Sequence, residues 1–334
     1  MTDNWQSFVA AQKFSSRSTA VPSSRLVDLT SLGIVLVSGK DSETFLQGQF
    51  TNDVSLSTSR QAQLSAWCSP KGRVLLSFWL CRCDAGFRLL MPTVPDAKLL
   101  ARLRMFVLRA NVKVALADES IVRIGCSGRD AELRLRELYS ATPEHSGEVV
   151  HSTGGISMLR SLGEQPRFEL VGPTESVKDA WRSLGEVCDV VQPNIWARED
   201  LETGLPLIEV QTSDQYLPQM LNLLELGAIN FDKGCYVGQE IIARLHYRGS
   251  VKRRLYVATC DTHPPVVAGD EVLAASGGVK RASGKVLASQ RLSGEGLVVQ
   301  TVLNVADTQE ATTFELADGT KLTLREPLHA PESA

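Results

Sequence analysis

Apolar and β-branched residues crowd the stretch from Leu26 to Val37, a strand signal ended by Gly39. Asp41 then stands where a helix cap is expected, with Phe45, Leu46 and Gln49-Phe50 as the packing face. Residues 62–68 and 74–83 read as two strands joined by Ser69-Pro70-Lys71-Gly72, which is turn chemistry. From Asp96 to Asn111 the period lengthens to 3.6. Leu99, Leu100, Leu103, Phe106, Val107 and Ala110 share one helical face, and Arg102, Arg104 and Arg109 lie mostly off it as a solvated cationic side. Short apolar runs then alternate with helical stretches at 128–140 and 174–184, too irregularly for a doubly wound parallel sheet.

After about residue 250 the pattern changes to short strands, at Arg254–Cys260, Glu271–Ala275, Lys285–Ser289, Leu297–Val302, Thr312–Leu316 and Lys321–Arg325. Asp318-Gly319 between the last two is a strong hairpin signal, and the spacing suggests a small antiparallel barrel or sandwich. The class is therefore α+β, in three parts: a serine-rich, loose lead-in over 1–24, a mixed region over 25–249, and a β domain over 250–330.

Composition narrows the functions. The 334 residues carry 35 Lys and Arg against 38 Asp and Glu, a net charge of −3, which excludes a whole-surface polycation but not a local basic face. Seven cysteines in so long a chain read as reduced thiols, and no stretch has the roughly 18 apolar residues of a spanning helix. A cytoplasmic protein with no membrane partner is expected. The phosphate loop, the Gly-x-Gly-x-x-Gly turn and the nucleophile elbow are all missing, and the five histidines never pair at helical metal-ligand spacing. Cys81-x-Cys83 reads as two core cysteines rather than a metal site, so no metal is expected.

One segment is dense in chemistry: Asp232-Lys233-Gly234-Cys235-Tyr236-Val237-Gly238-Gln239-Glu240. Gly234 and Gly238 permit unusual backbone angles or close approach, and a helix starts near Glu240. Cys235 in the feeding loop is either a structural cysteine in a tight turn or a working thiol, whose thiolate Lys233 and the helix end would favour. Behind it Arg244, Arg248, Lys252, Arg253 and Arg254 read either as a solvated linker or as a site for a carboxylate, a phosphate or an RNA backbone.

Lys233-Gly234-Cys235-Tyr236-x-Gly238-Gln239-Glu240, with Ala243-Arg244 and Gly249-x-x-Lys252-Arg253 following, resembles the signature of the YgfZ family of bacterial folate-binding, tRNA-modifying proteins, which is related to a mitochondrial iron–sulfur assembly factor. Phe45-Leu46-Gln47-Gly48-Gln49 with Thr51-x-Asp53-Val54, Ser69-Pro70-Lys71-Gly72-Arg73-Val74, Leu108-Arg109-Ala110-x-Val112, Gly204-Leu205-Pro206 and Leu217-Pro218-Gln219-x-x-Asn222-Leu223 resemble further family segments in the same order. The similarity runs from about residue 26 to 255.

The resemblance extends to a superfamily that includes the glycine-cleavage T-protein. It implies α/β lobes around a central folate cavity plus a C-terminal β-barrel, with tetrahydrofolate as ligand. It places Trp196, Tyr236 and Arg244 at the folate, and Cys235 as the functional thiol with Lys233, Gln239 and Glu240 shaping its loop. Two departures stand out. Leu32 occupies a position where some relatives carry an aromatic residue, and the cationic Ser69–Arg73 turn stands near where transferase relatives carry paired aspartates. The second counts against glycine-cleavage activity. The implied function is a folate-binding accessory role in iron–sulfur cluster assembly or repair, acting on tRNA modification through cluster-dependent enzymes. The partners would be the assembly machinery or those enzymes. The alternative is a folate-dependent one-carbon transferase, and direct tRNA contact through Arg102, Arg104, Arg109 and the 244–254 run is a third idea.

Overall fold

The computed structural model describes residues 4–11, 23–261, 265–291, 296–309 and 313–325. Along the chain these form α1 (Trp5–Ala11), β1 (Arg25–Asp28), β2 (Ile34–Ser38), α2 (Ser42–Gln47), β3 (Gln63–Cys68), β4 (Val74–Cys83), β5 (Gly86–Leu90), α3 (Ala97–Met105) and β6 (Lys113–Leu116). There follow β7 (Ile121–Ser127), α4 (Arg129–Tyr139), β8 (Val149–His151), β9 (Ser157–Arg160), β10 (Arg167–Pro173), α5 (Thr174–Leu184), β11 (Asp189–Val191), α6 (Pro193–Glu202) and α7 (Gln239–Arg248). The last part holds β12 (Arg253–Cys260), β13 (Glu271–Ser276), β14 (Val279–Arg291), β15 (Leu297–Asn304), α8 (Val305–Gln309), β16 (Thr313–Leu316) and β17 (Lys321–Arg325).

The class is α+β. A six-stranded sheet in the order β11-β1-β7-β10-β9-β8 and a five-stranded sheet in the order β3-β4-β5-β2-β6 precede a closed barrel, β12-β15-β14-β13-β16-β17. Within the two open sheets every pairing is antiparallel except β1 with β11. The α1, α4 and α5 helices cover the six-stranded sheet, and α2 and α3 cover the five-stranded one. A larger apolar cluster, including Trp79, Ile208, Tyr236, Leu255 and Val302, joins the sheets to the barrel. Among the described residues no helix is long and apolar enough to cross a membrane.

The strand expected over 26–37 is two strands in different sheets. Asp28 accepts the Thr30 N–H at 3.0 Å, and Leu32 N–H returns to the Leu29 carbonyl at 2.9 Å, turning the chain between them. Gly33 allows the turn to pass the Thr93 carbonyl, which a Cβ would meet at 2.6 Å. The lead-in also holds structure. Asn4 caps the Ser7 N–H at 2.9 Å, and Trp5 and Phe8 are buried in the α5 cluster; the expectation for residues 12–22 lies outside the described residues.

Two helices differ in detail. Asp41 makes no cap bond to α2 and accepts the Asn111 N–H at 2.7 Å instead. The α3 helix, capped by Asp96 on Lys98 N–H, ends at Met105 rather than running to Asn111. Leu108 stands at φ 48°, so the last third of the apolar face leaves the helix and leaves Leu108 exposed. Cys81 is buried, but Cys83, at the end of β4, is half-buried.

Candidate functional site

The Cys235 loop is fixed by a reciprocal stitch between two segments nearly two hundred residues apart. From the first segment, Thr51 Oγ1 donates to the Ala228 carbonyl at 2.7 Å, and Asn52 Nδ2 donates to the Gly227 carbonyl at 2.8 Å. From the second, Lys233 reaches back, and its Nζ donates to the carbonyls of Gln47, Phe50 and Asn52 at 2.9, 2.7 and 2.7 Å. An ammonium has three N–H donors, so all three are used on backbone. Its Nζ also lies 5.1 Å from the centre of the Tyr236 ring. Burial pushes Lys233 down to about 8, against the pull of Asp53. The amine is therefore a clamp turned into the fold, and the thiolate partner expected from its spacing is not what the structure builds.

The loop enters α7 through Gly238, at φ 85°, where a Cβ would lie 2.5 Å from the Ser69 carbonyl. The Ser69–Gly72 turn packs on that glycine, and Gly72 abuts Ile241. Gly234 shows neither property, having an ordinary φ and open space around a Cβ. Gln239 N–H bonds the Tyr236 carbonyl at 3.2 Å, and Glu240 is exposed in the first turn of α7. Tyr236 is buried, which raises its hydroxyl above the usual tyrosine range, and that hydroxyl has no hydrogen-bond partner among the described residues. Cys235 is the one exposed cysteine of the seven; burial pushes Cys81 and Cys188 up to about 12 and Cys68 and Cys126 well above the usual thiol range.

Trp196 sits elsewhere. It is 1% exposed on α6, in a small cluster with Val27, Leu29, Leu32 and Val191. The Arg167 guanidinium lies over its ring at 4.0 Å, and a Cβ on Gly125 would meet the ring at 2.8 Å. Its indole N–H is buried without a hydrogen-bond partner among the described residues. Tyr236 belongs to a different cluster and Arg244 is exposed on α7, so the three share no apolar cluster.

Sequence reasoning missed two features. The first is an ionic network beneath Trp196. Arg123 pairs with Glu169 at 2.7 Å, both nearly fully buried, and Ser161 donates to Glu169 at 3.0 Å. Arg167 pairs with Glu199 and Asp200 at 3.0 and 2.9 Å, and Arg25 also pairs with Glu199. Burial pushes the Asp200 carboxyl up to about 6 despite Arg167. Arg123, Glu169 and Asp200 border a cavity of ≈ 10 Å³ walled by Trp79, Leu90 and Leu205, room for about one water. The available signal was lone opposite charges inside the apolar strands β7 and β10. The second is a pocket of ≈ 310 Å³ at the start of β7, walled by Trp5, Leu32, Ile34 and Leu116, with Glu119 and Arg123 among its polar groups. Nothing in the sequence linked Trp5 to it.

No protein-family model matches the chain. It is 34% identical to the tRNA-modifying protein YgfZ of Klebsiella pneumoniae, with 91% of this chain and 92% of that one covered. It is 32% identical to the Escherichia coli O157:H7 protein of the same name, with 91% and 92% covered, and 30% identical to that of Colwellia psychrerythraea, with 85% and 86% covered. Among solved structures, glycine cleavage system aminomethyltransferase T from Bartonella henselae shares the fold, at TM-score 0.73 and 18% identity over 92% of this chain and 86% of that one.

Proposed function

The chain belongs to the YgfZ family, and on that premise we propose that it is a folate-binding accessory protein that supports tRNA modification through the assembly or repair of iron–sulfur clusters. The observation that carries the accessory role is the clamped loop: Lys233 is consumed in holding the backbone, so the fold presents Cys235 to solvent in a fixed place, open to a partner. The Ser69–Arg73 turn, packed on Gly238, brings Lys71 and Arg73 and no carboxylate to that region, which speaks against transferase chemistry there.

A folate needs a flat apolar slot, a few amide-type hydrogen bonds and space for two fused rings. The cavity bordered by Arg123, Glu169 and Asp200 has the polar groups but only the room of one water, so the ring does not fit there. The ≈ 310 Å³ pocket fits. Trp5, Leu32, Ile34 and Leu116 offer apolar walls and Glu119 offers an acceptor for the amino-pyrimidine edge, while Arg123 holds the wall through Glu169 and the Gly33 and Met91 carbonyls. Trp5 supplies there an aromatic wall beside Leu32. The role of this chain's residues is to bind and orient; Trp196 and Arg167 support the β7 wall from behind.

Calorimetric titration with tetrahydrofolate tests the reading. One-to-one saturable binding, lost in Leu32→Glu with unchanged thermal stability, is expected. Absence of saturable binding, or wild-type affinity in Leu32→Glu, overturns the pocket. For the thiol, Cys235→Ser should fail to restore cluster-dependent tRNA methylthiolation in a deletion strain; full restoration overturns the functional cysteine. The second reading, a one-carbon transferase, is favoured by Asp200 alone, a carboxyl at the one-water cavity that burial pushes up to about 6. Turnover of a folate one-carbon adduct by the pure protein would establish it.

A further inference from the structure

Three aromatic rings from two segments meet on the surface beside the Cys235 loop. Phe231 and His246 are stacked, with centroids 4.0 Å apart and planes 10° from parallel. Tyr247 stands edge-on to both, at 5.8 and 4.8 Å, and is itself 68% exposed. The platform is built in advance: Asn230 N–H is tied to the Thr51 carbonyl at 3.0 Å, Asp232 N–H to the Asn230 side chain at 2.8 Å, and His246 and Tyr247 ride on α7.

Cations surround it. Arg244, Arg248, Lys252 and Arg253 are all exposed, and Arg244, Arg248 and Lys252 have no carboxylate partner among the described residues. Among the described residues Arg253 is held by the neutral Asn304 amide at 3.1 Å and by no carboxylate. The exposed carboxylates of the same stretch are two, Asp232 and Glu240. Arg244 and Arg248 are four residues apart on one helix, about 6 Å along its axis, and so lie on one side of it.

We propose that this aromatic and cationic surface docks single-stranded RNA, with bases stacking on Tyr247 and His246 and phosphates on Arg244, Arg248 and Lys252. Charge complementarity and exposed ring faces select the occupant together. An acidic peptide would use the cations and leave the rings in water, whereas every nucleobase has a face to stack. Exposed aromatic groups gathered at one place, rather than scattered singly, mark an interaction site. The inference goes beyond the proposed indirect role, because it places RNA in contact with the chain next to Cys235, and it stands or falls separately from the folate pocket.

Fluorescence anisotropy with a labelled single-stranded RNA dodecamer tests it, using the full chain. Tyr247→Ala should weaken binding about 5- to 150-fold, as expected for one stacked base, and Tyr247→Phe should stay within about twofold of wild type. Arg244→Ala/Arg248→Ala should lower the slope of log affinity against log salt by about 1.4. Thermal melting of the same variants, and tetrahydrofolate titration of Tyr247→Ala, should match wild type, since these side chains are exposed. Undiminished binding by Tyr247→Ala, an unchanged salt slope in the double variant, or heparin binding as tight as RNA would each overturn the proposal.

Discussion

Replacing Lys233 by methionine separates a clamp from a thiol activator. The substitution keeps the aliphatic stem and removes the ammonium, leaving the Gln47, Phe50 and Asn52 carbonyls without their donor. A hydrogen bond involving a charged group contributes about 1.5–3 kcal/mol, so three at about 2 kcal/mol each come to about 6 kcal/mol. Taking the ammonium out of water opposes this, as the fall of its pKa to about 8 records, and the net loss should be about 2–3 kcal/mol. Urea unfolding followed by tryptophan fluorescence measures it, and amide exchange should speed up at 47–52 and 231–238 first. A disulfide reagent then reports the thiol, since Cys235 is the exposed cysteine. A clamp predicts a native Cys235 rate at neutral pH equal to wild type or faster. A loss below about 1 kcal/mol with unchanged exchange would refute the clamp, and a tenfold slower thiol would restore Lys233 as an activator.

The same lysine sets a pH window. Its folded value, about 8, lies below its ordinary value of 10.5, so between these the unfolded chain holds more protons; wild type should gain stability with rising pH there relative to Lys233→Met, by parallel urea titrations. Arg123→Met strands the buried Glu169 charge and should cost about 3–5 kcal/mol, whereas Arg123→Met/Glu169→Leu should recover most of it in thermal melts. Gly238→Ala puts a side chain at φ 85° against the Ser69 carbonyl and should cost at least about 2 kcal/mol. Gly234→Ala, in open space, should stay within about 0.5 kcal/mol in the same denaturation series.

Local chemistry was legible where the determinants are neighbours in the chain. The Ser69–Gly72 turn, the α4 and α5 helices and the hairpin at Asp318-Gly319 all follow from side-chain period and turn residues, and the run of short strands closes into the barrel that its spacing suggested. The Cys235 loop, too, announced itself through its glycines and density of polar groups. What its residues do was not announced. Lys233 stands two positions from Cys235 in sequence, and proximity along the chain suggested electrostatic coupling. The fold spends its charge on carbonyls 181–186 residues away.

The same limit explains the other differences. Periodicity from Leu26 to Val37 is uniform because both pieces are buried strands; that they join different sheets depends on partners at Gly125 and Leu89 that the segment does not contain. Trp5 looked like part of a polar leader because its pocket is made by residues 30–34 and 116–123. Arg123 and Glu169, 46 residues apart in sequence, become a pair only because β7 and β10 lie side by side. The sequence by itself determined most of the elements, the barrel and the loop that carries Cys235, because these rest on backbone preferences and on alternation over a few residues. Tertiary structure alone decided the clamp, the ion network and the pocket, because hydrogen bonding and burial act between groups that only folding brings within reach.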